Sequence, residues 1–154
     1  MYAGEVRVPC RILVADDHSI MRKAIKSALE AHAGWEVCAE AVNGLQAVQK
    51  AAELKPDAII LDLSMPVMGG LEAAPKILSV LPGLPIVLFT NHMYSGLIEE
   101  AQKVGIRQVV SKQGDGLVSA LEAILREKLM SAVDLIQAET ISEQVKPPSS
   151  AEKK

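Results

Sequence analysis

Charged residues directly follow apolar segments of the chain, at points where buried strands are expected to end. Asp62 follows the segment AIIL, and Lys112 follows QVVS. The adjacent residues Asp16 and Asp17 follow RILVA, and Thr90 follows PIVLF. An ionised side chain at the end of a strand that is buried on both faces costs several kcal/mol unless another group compensates it. These residues therefore predict a site rather than a packing role.

Three carboxylates in one place predict a cation among them. Asp16, Asp17 and Asp62 would repel one another and raise one another's pKa, and coordination by carboxylate oxygens favours Mg²⁺. Such an ion keeps several waters and takes an oxygen of a phosphate group. Lys112 would add a fixed cation and Thr90 a hydroxyl donor to a bound phosphoryl group. Asp62 is then the candidate nucleophile, because carboxylates form aspartyl phosphates.

Alternating strands and helices are predicted to position these residues. Asn43 is expected to cap the second helix, Gly105 to end the fourth, and Pro75 lies within the third. This order predicts an open, parallel, doubly wound α/β sheet, in which ligands bind at the carboxyl ends of the strands. The predicted strands are 11–15, 35–41, 58–61, 85–89 and 108–111, and the predicted helices are 18–32, 43–54, 71–81, 95–104 and a last one from about Asp115.

The composition predicts one ordinary domain. The chain has 154 residues, of which 49% are hydrophobic, and this is enough for one core. Its net charge of −3 favours neither nucleic acid nor an anionic membrane as a partner. Residues 1–9 lack the apolar core of a signal peptide, and no apolar run reaches the ~20 residues that span a bilayer, so we expect a cytoplasmic protein. Cys10 and Cys38 are expected to be reduced and partly buried.

The last helix is predicted to extend beyond the domain. Apolar residues continue at a period near 3.5 as far as Ile136, past the point where one face of a domain would be covered. We expect an N-terminal segment over 1–10, a domain over 11–129, an extension of the helix over 130–144 and a disordered tail over 145–154. The extension is either a solvated helix or an association surface.

The chain resembles the receiver domains of bacterial two-component response regulators, CheY-like proteins, over residues 11–129. The matching motifs are LVADD, LDLSMP followed by two glycines, Thr90 and Lys112, in the order that the family has. The resemblance implies a flavodoxin-like sheet with strand order 2-1-3-4-5. It also implies that Asp62 accepts a phosphoryl group from a sensor histidine kinase or a phosphotransfer protein, and that Thr90 and Lys112 then contact that group.

The resemblance further implies how Mg²⁺ is bound. Asp17, Asp62 and the backbone carbonyl of Ser64 would bind the ion directly, and Asp16 would bind it through water. The motif around Asp62 is closest to receivers that carry a helix-turn-helix output, but the residues after the fifth strand are too few to form such a domain. We therefore expect a single-domain regulator that acts on protein contacts and does not bind nucleic acid or a membrane directly.

Val109 is the main departure from the family. The position three residues before the lysine usually holds Tyr or Phe, which rotates inward when the threonine engages the phosphoryl group. Either Thr90 switches without an aromatic partner, or Tyr94 partly replaces it. Ser64 and His92 occupy two variable positions that govern how fast the phosphoryl group is hydrolysed. The three histidines, His18, His32 and His92, show no metal-ligand spacing, and surface or capping roles are expected for them.

Three functions remain open from the sequence. The first is a phosphoaccepting signalling switch, not an enzyme acting on free substrates. Its output would be homodimerisation through the face of helix 4, strand 5 and helix 5, or docking to a separate partner. The second is a degenerate receiver that acts as a constitutive interaction module. The third is a Mg²⁺-dependent aspartyl phosphohydrolase, which Ser64 disfavours because that class has its general acid at this position.

Overall fold

Five strands and five helices alternate along residues 9–144, which are the residues that the computed structural model describes. The strands form one parallel sheet in the order β2-β1-β3-β4-β5, so the predicted doubly wound, flavodoxin-like fold is confirmed. The elements are β1 (Cys10–Ala15), α1 (Ser19–Glu30), β2 (Trp35–Ala41), α2 (Gly44–Leu54), β3 (Ala58–Leu61), α3 (Gly70–Val80), β4 (Ile86–Thr90), α4 (Leu97–Lys103), β5 (Gln108–Ser111) and α5 (Leu117–Gln144).

Two apolar layers cover the sheet, one on each face. Helices α1 and α5 pack on one face, where Leu29, Leu121 and Ile124 are almost fully buried. Helices α2, α3 and α4 pack on the other, largely through small residues such as Ala73 and Ala101. Because both faces are covered, every residue of β3 and β4 is buried. In these two strands, only the ends can therefore bring polar groups to the surface of the sheet.

Helix ends differ from the prediction by one or two residues where local backbone geometry decides them. The fourth helix was expected over 95–104, but it begins at Leu97 because Gly96 before it adopts φ 92. Asn43 caps α2 as predicted, accepting the N–H of Gln46 at 2.8 Å. Gly105 follows α4 at φ 93, which only glycine adopts easily.

Other predicted boundaries shift in the same way. The first helix was expected over 18–32, the third over 71–81, and the fifth from Asp115; the structure has Ser19–Glu30, Gly70–Val80 and a start at Leu117. The first strand begins at Cys10, one residue before the predicted start and within the predicted N-terminal segment. Strand β4 runs from Ile86 to Thr90 rather than over 85–89. Residues 1–8 of the predicted N-terminal segment and the predicted tail over 145–154 lie outside the described residues.

Helix α5 has the predicted extended length. It runs without interruption from Leu117 to Gln144, and its first two turns supply the buried residues that pack on the sheet. Farther along, Leu129 and Met130 are 63% and 55% exposed. None of the helices in residues 9–144 is long and apolar enough to cross a membrane.

Candidate functional site

The carboxyl ends of the four strands β1, β3, β4 and β5 meet at one edge of the sheet. The strand pairings place Ala15 beside Leu61, and Thr90 beside Ser111. Asp16 follows β1, Asp62 follows β3, and Lys112 follows β5. The parallel topology therefore brings together residues that are up to 96 positions apart in the chain.

Lys112 lies between two buried carboxylates. Its Nζ donates to Asp16 Oδ2 at 2.6 Å and to Asp62 Oδ2 at 3.1 Å. The three side chains are only 5%, 1% and 6% exposed, respectively. Burial lowers the pKa of Lys112, but the hydrogen bond that Lys112 donates to Asp16 and the charge of Asp62 outweigh this and raise the pKa above its usual value. Lys112 is therefore a fixed cation in this site.

Asp62 is less acidic than an ordinary aspartate. Burial raises its pKa most, and the charge of Asp16 adds to this effect. The charge of Lys112 and a hydrogen bond from the Leu63 backbone oppose the rise but do not cancel it. Keeping Asp62 ionised in the folded chain therefore costs free energy, and an additional cation nearby would stabilise the ionised form.

Hydrogen bonds fix both the carboxylate and the backbone of Asp16. Its carboxylate accepts the N–H of His18 through Oδ1 at 2.8 Å, while Oδ2 accepts from Lys112. Its backbone N–H donates to Ala41 at 3.0 Å, and its carbonyl accepts from Arg22 at 2.8 Å. Both carboxylate oxygens therefore already have donors.

Asp17 is the contrasting case. Its side chain is 28% exposed, yet its Oδ1 atom is buried and has no hydrogen-bond donor among the described residues. Ligand atoms from Asp16, Asp17, His18 and Asp62 all lie within 4.8 Å of one another. A buried carboxylate oxygen without a donor, beside two more carboxylates, is the oxygen-rich environment that a hard divalent cation such as Mg²⁺ prefers. The residues present thus fit the ion that the sequence predicts.

An open cleft of about 350 Å³ leads to Asp62. Ser64 and Lys112 line it, together with His18, Ile20, Met21, Asn91 and His92. Thr90 is not among the lining residues. Its side chain is fully buried, and its hydroxyl accepts the N–H of His92 at 2.9 Å. The predicted residues therefore meet at this edge, but the Thr90 hydroxyl is occupied by the loop that follows it.

A family model for the response regulator receiver domain matches residues 12–137. The chain belongs to this family. It is 38% identical over 114 residues to the chemotaxis protein CheY of Listeria monocytogenes, covering 73% of this chain and 95% of that protein. Among solved structures, a LuxR-family two-component response regulator from an Aurantimonas species superposes with a TM-score of 0.75 at 35% identity, covering 77% of this chain and 86% of that one.

Some relatives of this receiver are much longer. The chain is 38% identical over 119 residues to a protein-glutamate methylesterase/protein-glutamine glutaminase of Alkalilimnicola ehrlichii. That match covers 76% of this chain but 30% of the relative, so the chain spans less than a third of that protein's length. The similarity to that protein is limited to these 119 residues.

Two residues of this receiver site were missed from the sequence. His18 is exposed, but its side chain does not cap α1 within the described residues; instead its Nδ1 lies 3.3 Å from Asp16 and 3.2 Å from Asp17. Arg22 holds the Asp16 carbonyl while its Nε donates to Glu40 at 2.9 Å. The adjacency of His18 to the acidic pair was a usable signal, whereas the contact from Arg22 depends on how α1 packs beside β2.

Proposed function

We propose that this receiver accepts a phosphoryl group on Asp62 from a sensor histidine kinase or a phosphotransfer protein and acts as a signalling switch in the cytoplasm. One observation carries the proposal: the Asp62 carboxylate is buried at an open cleft, with Lys112 Nζ 3.1 Å from one oxygen and carboxylate oxygens of Asp16 and Asp17 within 4.8 Å. Lys112 favours the ionised form of this carboxylate, and the cleft leaves it reachable.

The proposed transfer forms one bond and breaks one. A carboxylate oxygen of Asp62 attacks the phosphorus of a phosphohistidine, the phosphorus–nitrogen bond breaks, and the departing imidazole nitrogen keeps the electron pair. Charge on the transferring group is stabilised by Lys112, which is already in position and need not reorganise. The receiver catalyses its own modification and is not an enzyme for free substrates.

The metal site of the proposal uses Asp17, Asp62 and the Ser64 carbonyl as direct ligands of Mg²⁺. Asp16 would act through water, because both of its carboxylate oxygens already accept hydrogen bonds. Asp17 suits direct coordination, since its buried Oδ1 has no donor among the described residues. When bound, the ion supplies positive charge to the phosphoryl oxygens.

Thr90 is proposed to report the modification. A phosphoryl group on Asp62 offers new acceptor oxygens, and the Thr90 hydroxyl would turn to donate to one of them. A rotation of the Thr90 side chain toward that oxygen would break the hydrogen bond that its hydroxyl accepts from the N–H of His92. The loop that leads into α4 would thereby lose one of its anchors.

The output is proposed to be a change in protein contacts at the face of α4, β5 and α5, either as a homodimer or with a separate partner. Ile98 on α4 is 51% exposed, and Leu129 on α5 is 63% exposed, so this side of the receiver offers apolar surface. We propose no direct contact with nucleic acid or a membrane.

A constitutive interaction module is the second candidate, and one observation favours it. Val109 replaces the aromatic residue of the family and lies partly buried against the core layer of α2, α3 and α4. A small side chain that is already packed there has no rotation with which to signal. Phosphorylation would then occur without changing the output face.

The test incubates the chain with a small phosphodonor, with and without Mg²⁺, and follows its intact mass. The native chain is expected to gain one phosphoryl group only when Mg²⁺ is present, and Asp62→Asn is expected to gain none. Asp57→Asn is the matched control, because Asp57 caps the backbone of Arg11 at 2.8 Å away from the cleft and should not affect the gain. An unmodified native chain would refute the proposal, and a gain in Asp62→Asn would move the phosphoacceptor elsewhere.

Size-exclusion chromatography with light scattering separates the two candidates. A switch that signals by homodimerisation is expected to change its oligomeric state when beryllofluoride and Mg²⁺ mimic the phosphoryl group. An unchanged state in a chain that does gain mass would remove the homodimer from the proposal and leave the constitutive module and a switch that docks a separate partner.

A further inference from the structure

Helix α5 carries an exposed apolar stripe beyond the part that packs on the sheet. Leu129, Val133 and Ile136 are 63%, 36% and 62% exposed, whereas Leu121, two turns before Leu129, is fully buried. Residues spaced by four and three positions lie on one side of a helix, so these three side chains form a single stripe. An apolar stripe at helical spacing favours contact with another helix.

The stripe runs into a groove between α5 and the start of β2. The groove has a volume of about 350 Å³ and is lined by His32, Trp35, Glu122, Leu125, Arg126 and Leu129. One wall is fixed, because His32 Nε2 lies 2.9 Å from Glu122 Oε2 and the His32 ring stacks on Trp35 with centroids 3.7 Å apart. A helix that follows the stripe toward the domain therefore reaches Trp35.

The charges along α5 select the direction of such a helix. Residues 126–128 hold two basic residues and one acidic residue, whereas residues 131–144 hold three acidic residues and no basic one. In an antiparallel pair of α5 helices with Val133 opposite Ile136, position 126 faces position 143, so Arg126 meets the acidic end of the other helix. A parallel pair would instead place the two acidic ends against each other. A second α5 in the antiparallel direction therefore complements both the stripe and its charges.

We propose that the stripe is covered by α5 of a second copy of this chain, with the two helices antiparallel. A two-fold axis between Val133 and Ile136 relates the copies, so both stripes are buried at once. The end of the second helix then lies in the groove beside Trp35. The pairing involves neither Asp62 nor the cleft, so it is expected in the unphosphorylated chain and is independent of the proposed function.

Sedimentation velocity of the full chain without a phosphodonor measures this pairing. The native chain is expected to shift from monomer to dimer as its concentration rises. Leu129→Glu should raise the dimer dissociation constant about tenfold or more, because it places a charge inside the seam. Ser131→Glu is the matched control, since it adds the same carboxylate at an exposed position on the other side of α5 and should leave the constant unchanged. Both positions are exposed, so the circular dichroism of both variants should match that of the native chain.

Arg126→Glu tests the direction of the pair. It is expected to raise the dissociation constant about tenfold, because two symmetric charge pairs become repulsive, and adding Glu143→Lys in the same chain should restore the native value. The emission of Trp35, the only tryptophan of the chain, gives a second readout. It should move to shorter wavelength as the dimer forms, because the second helix displaces water from the groove.

Each outcome bears on the inference. A native chain that stays monomeric at every concentration would overturn it and leave the stripe to a different partner. Equal losses in Leu129→Glu and Ser131→Glu, or a double variant that stays as weak as Arg126→Glu, would overturn the antiparallel seam. A dimer that forms without a change in Trp35 emission would refute its placement beside the groove. None of these results depends on phosphorylation of Asp62, which intact mass measures separately.

Discussion

Replacing Asp62 by asparagine is expected to stabilise the metal-free chain. Asp16 and Asp17 lie within 4.8 Å of Asp62, and each repulsion is worth about 3.5 kcal/mol at an effective dielectric constant of ~20. The attraction between Asp62 and Lys112, whose Nζ lies 3.1 Å away, contributes about 5.4 kcal/mol in the opposite direction at the same dielectric constant. These charges alone therefore give the negative charge on Asp62 a net cost of about 1.5 kcal/mol, which has the same sign as the raised pKa of this carboxyl.

The assay is thermal unfolding in a chelating buffer and in Mg²⁺. Without metal, Asp62→Asn is expected to melt about 3–6 °C above the native chain. At a Mg²⁺ concentration ~100 times its dissociation constant, the native chain gains about 2.7 kcal/mol. This gain exceeds the difference of about 1.5 kcal/mol between the two chains. The variant is expected to gain less, because it lacks Asp62, one of the proposed ligands. The order of the two melting temperatures should therefore reverse.

The pH dependence follows from the direction of the pKa shift. The folded-state pKa of Asp62 is raised, so ionising this group destabilises the folded chain as the pH rises through that pKa. In chelating buffer the advantage of Asp62→Asn should be full at neutral pH and fade as the pH falls and Asp62 becomes protonated. A native chain that is more stable than Asp62→Asn without metal, or an order that Mg²⁺ does not change, would refute this electrostatic reasoning.

Three further predictions concern other parts of the structure. Lys112→Met leaves its two carboxylate partners without a cation and should cost about 3–5 kcal/mol of unfolding free energy in chelating buffer, measured with urea. Gly44→Ala would place a Cβ atom 2.5 Å from the Met68 carbonyl oxygen and should cost about 1–3 kcal/mol, measured by the melting temperature. Burial raises the pKa of Cys10 to about 11, so alkylation at neutral pH should be much slower in the folded chain than in urea, as followed by mass.

Matched variants keep these predictions specific. Lys103→Met removes an exposed lysine from α4 and should leave the unfolding free energy nearly unchanged. Gly114→Ala adds a Cβ atom with no heavy atom within 4 Å among the described residues, so it should be neutral. A loss in either control as large as in its partner would show that the named contact is not the cause. Equal alkylation rates for Cys10 in folded and unfolded chains would contradict its burial.

The meeting of Asp62 and Lys112 could be predicted because topology alone decides it. Apolar segments without alternation indicated strands buried on both faces, as β3 and β4 are. Once such strands are parallel, their carboxyl ends share an edge, whatever their distance in sequence. The polar residue that ends each strand then has to lie at that edge.

The finer arrangement could not be predicted because it depends on loop geometry. Asp16 and Asp17 are the same residue type in adjacent positions, yet one is 1% exposed with both oxygens bonded, and the other has a buried oxygen without a donor among the described residues. The difference comes from the turn into α1, where Asp16 Oδ1 accepts the N–H of His18. No pattern of residue types encodes which of two neighbouring side chains faces inwards.

Because position 109 is a valine and not an aromatic residue, the proposed signal from Asp62 has to reach the output face through a part of the structure other than β5. Val109 is packed against the layer of α2, α3 and α4, and β5 (Gln108–Ser111) offers no aromatic side chain that could rotate. Thr90, by contrast, is bonded to the first part of the loop before α4, and Tyr94 in the same loop donates to Glu100 on α4 at 3.0 Å. Every residue from 91 to 96 is exposed, and α4 has only 7 residues. If Asp62 is phosphorylated as proposed, the short path from Thr90 along this loop to α4 is the one that the described contacts support.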